Sequence, residues 1–376
     1  MILKTENGDR ATYQIYTQVL DHGQHVTSII VNMKKTNHKD DFDIDSFVIH
    51  ARHYHHDEVI IDQNVKINNL YVAKDKSWRQ VQSGQYVVLE CEPLPTLYWD
   101  EKLFTNDPMK LEYSLKYYEG KQWISLQYNG RINRIVDDFI FQTSQSQLNY
   151  RLYIPTCDHH KKPLIIWLHG AGEGGKSNET QLTGNRGAIA FVEYQDIFGG
   201  AYVIAPQAPD YWMDTFEVDN LILKGHDYTK QVVSLIKEVI FKHDDIDISR
   251  VYIGGCSMGG YQTWKTLIAA PELFTAAFPI CPAYTPTKEE RQTLLSIPIW
   301  LTHATTDQTV SVEHSREAYR LLKELGGKVH YTEYQDVTYK GVQYGSHQSW
   351  IYVLNNEPVS SEGIPIMNWL ASQKKY

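Results

Sequence analysis

The run Gly255-Cys256-Ser257-Met258-Gly259 fits G-x-S-x-G and stands between an apolar stretch, Val251 to Ile253, and a helical pattern from Tyr261 to Ala270 that Pro271 stops. That order dictates a strand, a sharp reversal and a helix. At such a reversal the serine backbone is strained and its hydroxyl projects above the sheet, so the positions two before and two after must be nearly free of side chain. Gly255 and Gly259 meet that demand. The pentapeptide alone recurs by chance in loops; the strand before it and the helix after it carry the reading. Ser257 is therefore the candidate nucleophile, in preference to an ordinary serine at a helix start. The side chain of Cys256 points away from that of Ser257 and reads as a small buried apolar residue.

A nucleophile of this kind implies an acid and then a base further along the chain. Ile297 to Ala304 reads as a buried strand. Asp307 falls in the polar turn after it, ahead of a helix carrying Ala318, Leu321, Leu322 and Leu325 and ending at Gly326-Gly327. Asp307 is the candidate acid; Asp336 is its rival, and a turn or cap role would also suit an aspartate there. After the strand-like run Val329 to Tyr334 comes a loop with Gly345-Ser346-His347. His347 is favoured as base over His303, which lies in a buried strand, His314, in a first helical turn, and His330.

Upstream, Pro163 to Leu168 runs as a strand into His169-Gly170-Ala171-Gly172-Glu173-Gly174-Gly175, a loop flexible enough to aim its amides at a substrate oxygen. In the chemistry this predicts, Ser257 attacks an ester carbonyl and His347 takes its proton. Asp307 fixes the imidazole tautomer, and the amides of Met258 and of Ala171 or Gly172 hold the oxyanion. Activity is expected to fall on acidification, because a protonated imidazole cannot accept the serine proton. Glu173 either shapes the loop or contacts substrate, the bland alternative being a solvated charge.

The full 376 residues exceed what one core usually organises and favour two domains. Residues 1–130 read as all-β: Tyr13, Ile15, Thr17 and Val19 alternate with polar residues, as do Leu111, Tyr113, Leu115 and Tyr117. About seven short strands suggest a sandwich. From 131 to 376 strands alternate with helices, the signature of a mostly parallel sheet covered on both faces, with Ile135 to Phe141 and Leu148 to Ile154 as an opening hairpin. His50, His53, His55 and His56 with Asp57 invite a metal test. Alternation puts His55 and His56 on opposite faces and no cysteine joins them, so a solvated strand edge is expected and no metal or cofactor is assigned. The 26 tyrosines could form a face for stacking carbohydrate, though core packing is the commoner use.

A net charge of -9 argues against nucleic acid or an anionic membrane as partner. No run of about 18 apolar residues offers a bilayer span, and the first residues lack the order of a secretion signal, so a cytoplasmic location is expected unless a leader was trimmed. Cys91, Cys157, Cys256 and Cys281 show no paired spacing, so no disulfide framework is expected. Exposed strand edges leave self-association through the β domain open.

Taken together, Leu-His-Gly-Ala-Gly-Glu-Gly-Gly, Ala-Pro-Gln-Ala-Pro with Trp212, Gly-Gly-Cys-Ser-Met-Gly-Gly and Gly-Ser-His-Gln-Ser-Trp resemble α/β-hydrolase carboxylesterases. Within them, the chain is similar to the branch related to the prolyl oligopeptidase catalytic domain, polyhydroxybutyrate depolymerases and feruloyl or acetylxylan esterases. Some members of that branch carry an immunoglobulin-like domain ahead of the hydrolase domain. The resemblance, which covers the chain from Ile135 onward, implies an α/β-hydrolase fold preceded by an immunoglobulin-like sandwich. It also implies a serine esterase whose nucleophile, acid and base map onto Ser257, Asp307 and His347. Between Cys281 and Ile297 only a short polar connection exists, with no room for a lid. The site is thus expected to be open and to take short-acyl esters, such as acetyl or feruloyl groups on carbohydrate, with Trp212, Glu173 and Trp350 as candidates for substrate contact. The alternatives are a prolyl oligopeptidase-like peptidase, and a binding module with a vestigial hydrolase domain.

Overall fold

The computed structural model describes residues 10–156, 160–218 and 221–375. Cys157 and the chain start, on which the disulfide and leader readings partly rest, lie outside the described residues. Contacts divide the chain into two compact units, one reaching Trp99 and resuming over Asp107–Asp137, the other comprising Asp100–Asn106 and Asp138–Tyr376. The boundary drawn from sequence at 130/131 falls inside the strand Gln127–Asn133.

In the first unit the alternation of Thr12–Leu20 becomes burial of Tyr13, Ile15, Thr17 and Val19, with the residues between them half-buried. That strand pairs antiparallel with Gly23–His38 and parallel with Gln127–Asn133 inside a six-stranded sheet. A four-stranded sheet, in the order Gln122–Ser125, Lys110–Glu119, Phe47–His55 and Glu58–Asn64, supplies the second layer. Ile15, Ile29, Val87 and Leu89 from the first sheet and Ile49 and Leu115 from the second share one core, the arrangement of a β sandwich.

The histidine cluster departs from the expectation. His53 is fully buried and bonds the Pro95 carbonyl and the Tyr113 hydroxyl. The rings of His55 and His56 lie 4.2 Å apart between centroids and not on opposite faces. The pairing register slips between His53 and Tyr54, and His56 takes φ 52° in the turn, so strict alternation ends before these two residues. His55 also stacks on Tyr98 and lies 3.2 Å from Asp107 Oδ2, so His53 and His55 are not solvated, whereas His56 and Asp57 are exposed.

The second unit is organised by an eight-stranded sheet of β1 (Ile140–Thr143), β2 (Asn149–Tyr153), β3 (Lys162–Leu168), β4 (Tyr202–Pro206), β5 (Ile246–Cys256), β6 (Ala276–Ile280), β7 (Ile299–Ala304) and β8 (Val329–Tyr334). Their order is β1-β2-β4-β3-β5-β6-β7-β8; β2 runs antiparallel to both neighbours and the other pairs are parallel. β3, β4 and β6 are buried along their whole length, as strands covered on both faces must be, which is why they read as unbroken apolar runs. The opening hairpin starts later than expected, at Ile140, because Ile135 adopts φ 65° and 136–138 form a short 3-10 turn. Helices α1 (Thr229–Lys242), α2 (Met258–Ala269) and α3 (Glu313–Glu324) pack on the sheet; α1 buries Val232, Leu235, Ile236 and Val239, spaced along one face.

Between β6 and β7 the chain forms one seven-residue helix, Lys288–Leu294, closed by a capping box of Thr287 and Glu290. A hairpin of Thr215–Val218 and Leu221–Lys224, unforeseen from the sequence, stands between β4 and α1. Among the described residues no helix is long and apolar enough to cross a membrane, and Cys91, Cys256 and Cys281 are free and buried.

Candidate active site

β3, β5, β6 and β7 end side by side, so the residues just beyond their C-terminal ends converge. β5 stops at Cys256, and Ser257 turns the chain into α2 with φ 58° and ψ −118°, a conformation that costs a non-glycine residue strain. The reversal holds because neighbouring backbone leaves no alternative. A Cβ on Gly255 would lie 2.3 Å from the Leu168 carbonyl oxygen, and one on Gly259 2.1 Å from the same atom. The Ser257 amide donates to the Ile280 carbonyl at 2.9 Å, tying the turn to β6.

Past β7, Asp307 is fully buried in its side chain and accepts from four donors. Oδ1 takes the Thr309 and Val310 amides, each at 2.9 Å; Oδ2 takes His347 Nδ1 at 2.8 Å and His303 Nε2 at 3.1 Å. Burial by itself would raise the Asp307 pKa, but hydrogen bonds from the two imidazoles, the His347 charge and the Val310 amide outweigh it and hold the carboxyl well below the usual range. With Nδ1 of His347 donating to a carboxylate, Nε2 is left with its lone pair. Cys281 joins the two halves of the site: its thiol lies against the Ser257 amide and donates to the His347 carbonyl at 3.5 Å. The serine and the Asp307–His347 pair therefore share one end of the sheet.

The loop after β3 is pinned from several sides. His169 Nε2 accepts from the Ala208 amide at 3.0 Å, so the ring proton sits on Nδ1 and is donated to the Gly170 carbonyl; burial lowers this imidazole to about 4 and keeps it neutral. Gln207 donates from Nε2 to the Glu173 carbonyl at 3.0 Å and to Thr180 Oγ1 at 2.7 Å. These contacts explain the Ala-Pro-Gln-Ala-Pro segment as the buttress of the loop. Among the described residues the amides of Ala171, Gly172 and Met258 donate to no protein group.

Residues 151–348 match the phospholipase/carboxylesterase family of α/β-hydrolases. The chain belongs to that family. Residues 12–130 of this carboxylesterase match the esterase immunoglobulin-like N-terminal domain. Its fold is similar to the crystal structure of a thermostable esterase, with 27% identity, coverage of 97% of this chain and 100% of that one, and a TM-score of 0.83. More distant are an acylaminoacyl peptidase in complex with Z-Gly-Gly-Phe-chloromethyl ketone (16% identity, 77% of this chain, 51% of that one, TM-score 0.43) and a ferulic acid esterase (12%, 62%, 97%, 0.43). No curated protein matches the chain. The carboxylesterase is a serine carboxylic ester hydrolase, an α/β-hydrolase domain behind an immunoglobulin-like one.

Two residues expected to touch substrate are buried. Trp212 is 0% exposed, with its Nε1 donating to the His169 carbonyl at 2.9 Å, because an indole this large fills the core beneath the loop. Glu173 is 7% exposed and its carboxylate turns onto the Gly170 amide and its own, because the short 3-10 turn Ala171–Glu173 folds it back over the loop. Trp350 stands edge-on to His347, 5.4 Å between ring centroids. Three residues at the site were not singled out for a role there. His303 looked like a core strand residue, yet its Nε2 meets both Asp307 and the Val310 carbonyl, so it must carry a proton there, while Nδ1 pairs with Ser315. Cys281 and Asn106, the latter donating to Glu173 Oε1 at 3.3 Å, carry no local sequence signal of such roles.

Proposed function

We propose that Ser257, His347 and Asp307 act as nucleophile, general base and orienting acid in the hydrolysis of short-acyl carboxylic esters through an acyl-enzyme. The observation that carries this reading is the strained Ser257 at the head of α2, at the same end of the sheet as an imidazole whose Nδ1 is bonded to a buried carboxylate. Ser257 Oγ adds to the ester carbonyl carbon as its proton passes to His347 Nε2. The oxyanion that forms is met by the amide of Met258 and that of Ala171 or Gly172, which no protein acceptor occupies. Collapse breaks the bond to the alcohol, which leaves with the proton from His347. Water then adds to the acyl-enzyme with His347 as base, and collapse breaks the bond to Oγ, releases the carboxylic acid and returns the proton to Ser257.

The connection between β6 and β7 holds a single seven-residue helix, which favours acyl groups that need no hydrophobic cover. Acetyl or feruloyl esters of carbohydrate fit that description. Turnover of p-nitrophenyl acetate, butyrate and laurate tests the reading. We expect acetate or butyrate to be preferred by kcat/KM and Ser257→Ala to be inactive on all three; a clear preference for laurate contradicts the short-acyl assignment.

A further inference from the structure

Glu173 is a buried carboxyl that the proposed mechanism does not use, and its surroundings are built for it. Oε1 accepts from Asn106 Nδ2 at 3.3 Å, and the amides of Gly170 and of Glu173 itself lie near enough to favour the ionised form. A Cβ on Gly184 would come within 2.6 Å of Oε1 and one on Gly170 within 3.2 Å of Oε2, so the space on both sides is reserved for the carboxylate. Ala171 and Gly172 lie between the two residues whose amides it faces. Its position thus sets the direction of the intervening amides.

Asn106 reaches it from a short strap. Asp100–Asn106 packs with the second unit, although the chain before and after it belongs to the first. Asp100 Oδ1 accepts from the Lys102 and Leu103 amides and shapes the turn. The Leu103 carbonyl accepts from the Tyr211 hydroxyl at 2.5 Å, and Phe104 packs against the core of the second unit. The strap also reaches the loop by a second route: a Cβ on Gly174 would lie 1.9 Å from the carbonyl oxygen of Asp210, the residue before Tyr211.

We propose that Glu173 is a positioning residue of ester hydrolysis, an internal brace for the Ala171 and Gly172 amides, and that Asn106 holds this brace from the strap. The inference rests on the oxyanion role given to those amides above. Above about pH 7 the ionised carboxyl offers acceptors alone, which suits the amide and Asn106 donors that face it. Glutamine would turn an NH2 toward one of those donors, and alanine at 106 would leave Oε1 without its side-chain partner. Burial already pushes this carboxyl up to about 7 against its hydrogen bonds, and Cys256 beside it is a thiol that burial likewise pushes up.

Asn106→Ala, Glu173→Gln and the control Lys102→Ala, an exposed side chain on the same strap, are compared with the unaltered enzyme on p-nitrophenyl acetate, with kcat expressed per site titrated by a phosphonate. Removing an oxyanion donor outright costs about 100-fold or more, so misdirecting the loop is expected to lower kcat by about 10-fold in Asn106→Ala and further in Glu173→Gln, with KM changed by less than about 3-fold. Affinity for a boronic acid that mimics the tetrahedral state should weaken in parallel, and Lys102→Ala should match the parent. Loss of folded protein alone would lower the titre and leave kcat per site and boronate affinity intact. Asn106→Ala and Glu173→Gln with parental kcat per site overturn the brace. An unaltered enzyme that fails to turn over the ester overturns instead the esterase reading on which it rests.

Discussion

At the scale of single residues, Asp307 decides which way the imidazole of His347 points its lone pair. Asp307→Asn puts an amide NH2 where four donors now converge, so at least one donor loses its acceptor and His347 is driven toward the tautomer with its proton on Nε2. We expect kcat on p-nitrophenyl acetate to fall by roughly 10⁴-fold with the protein still folded by circular dichroism; a loss under about tenfold would show that Asp307 does not orient the base. Ser257 and His347 stand out in the sequence because each sits in a local pattern, a glycine-flanked bend and a loop after a strand. Asn106 was not, since its partner Glu173 is 67 positions away and neither residue falls in a pattern that announces the pair. Trp212 misled because an aromatic in a loop near the site reads as surface until its packing is known.

Among the elements, period and composition carried most of what could be read. β3 and β4 are short apolar runs and were recognised as buried strands; Thr12–Leu20 and α1 declared themselves by periods of two and of about 3.6. The failures share a physical cause. At His55-His56 a register slip and a positive φ break the alternation on which facing was argued. At Ile135 a left-handed backbone ends what looked like a continuous strand. The hairpin over Thr215–Lys224 lies in a stretch whose pattern did not distinguish it from a loop. In each case the deciding quantity is a local backbone conformation that the residue type permits but does not announce.

For the whole molecule, two buried groups in the second unit pull stability in opposite directions with pH. Glu173 is raised from 4.5 to about 7, so between those values the unfolded chain has released a proton that the folded one keeps, and stability falls as pH rises. His169 is lowered from 6.5 to about 4, so as pH falls across that range the unfolded chain takes up a proton the folded one refuses, and stability falls as pH falls. Between 4.5 and 6.5 the two slopes oppose. Glu173→Gln removes one of them, and urea unfolding should show the variant's stability climbing with pH more steeply than the parent's by about 1.4 kcal/mol per pH unit; parallel slopes would mean that Glu173 is ionised in the folded state throughout. Ester hydrolysis by this molecule turns on the hydroxyl held up at the bend between β5 and α2 as the attacking group. Mapping by peptide mass after reaction with an alkyl fluorophosphonate tests it most directly. A single adduct on Ser257 is expected, absent from Ser257→Ala and much slower to form in His347→Ala. An adduct on another residue, or none while the folded protein still hydrolyses p-nitrophenyl acetate, would contradict it.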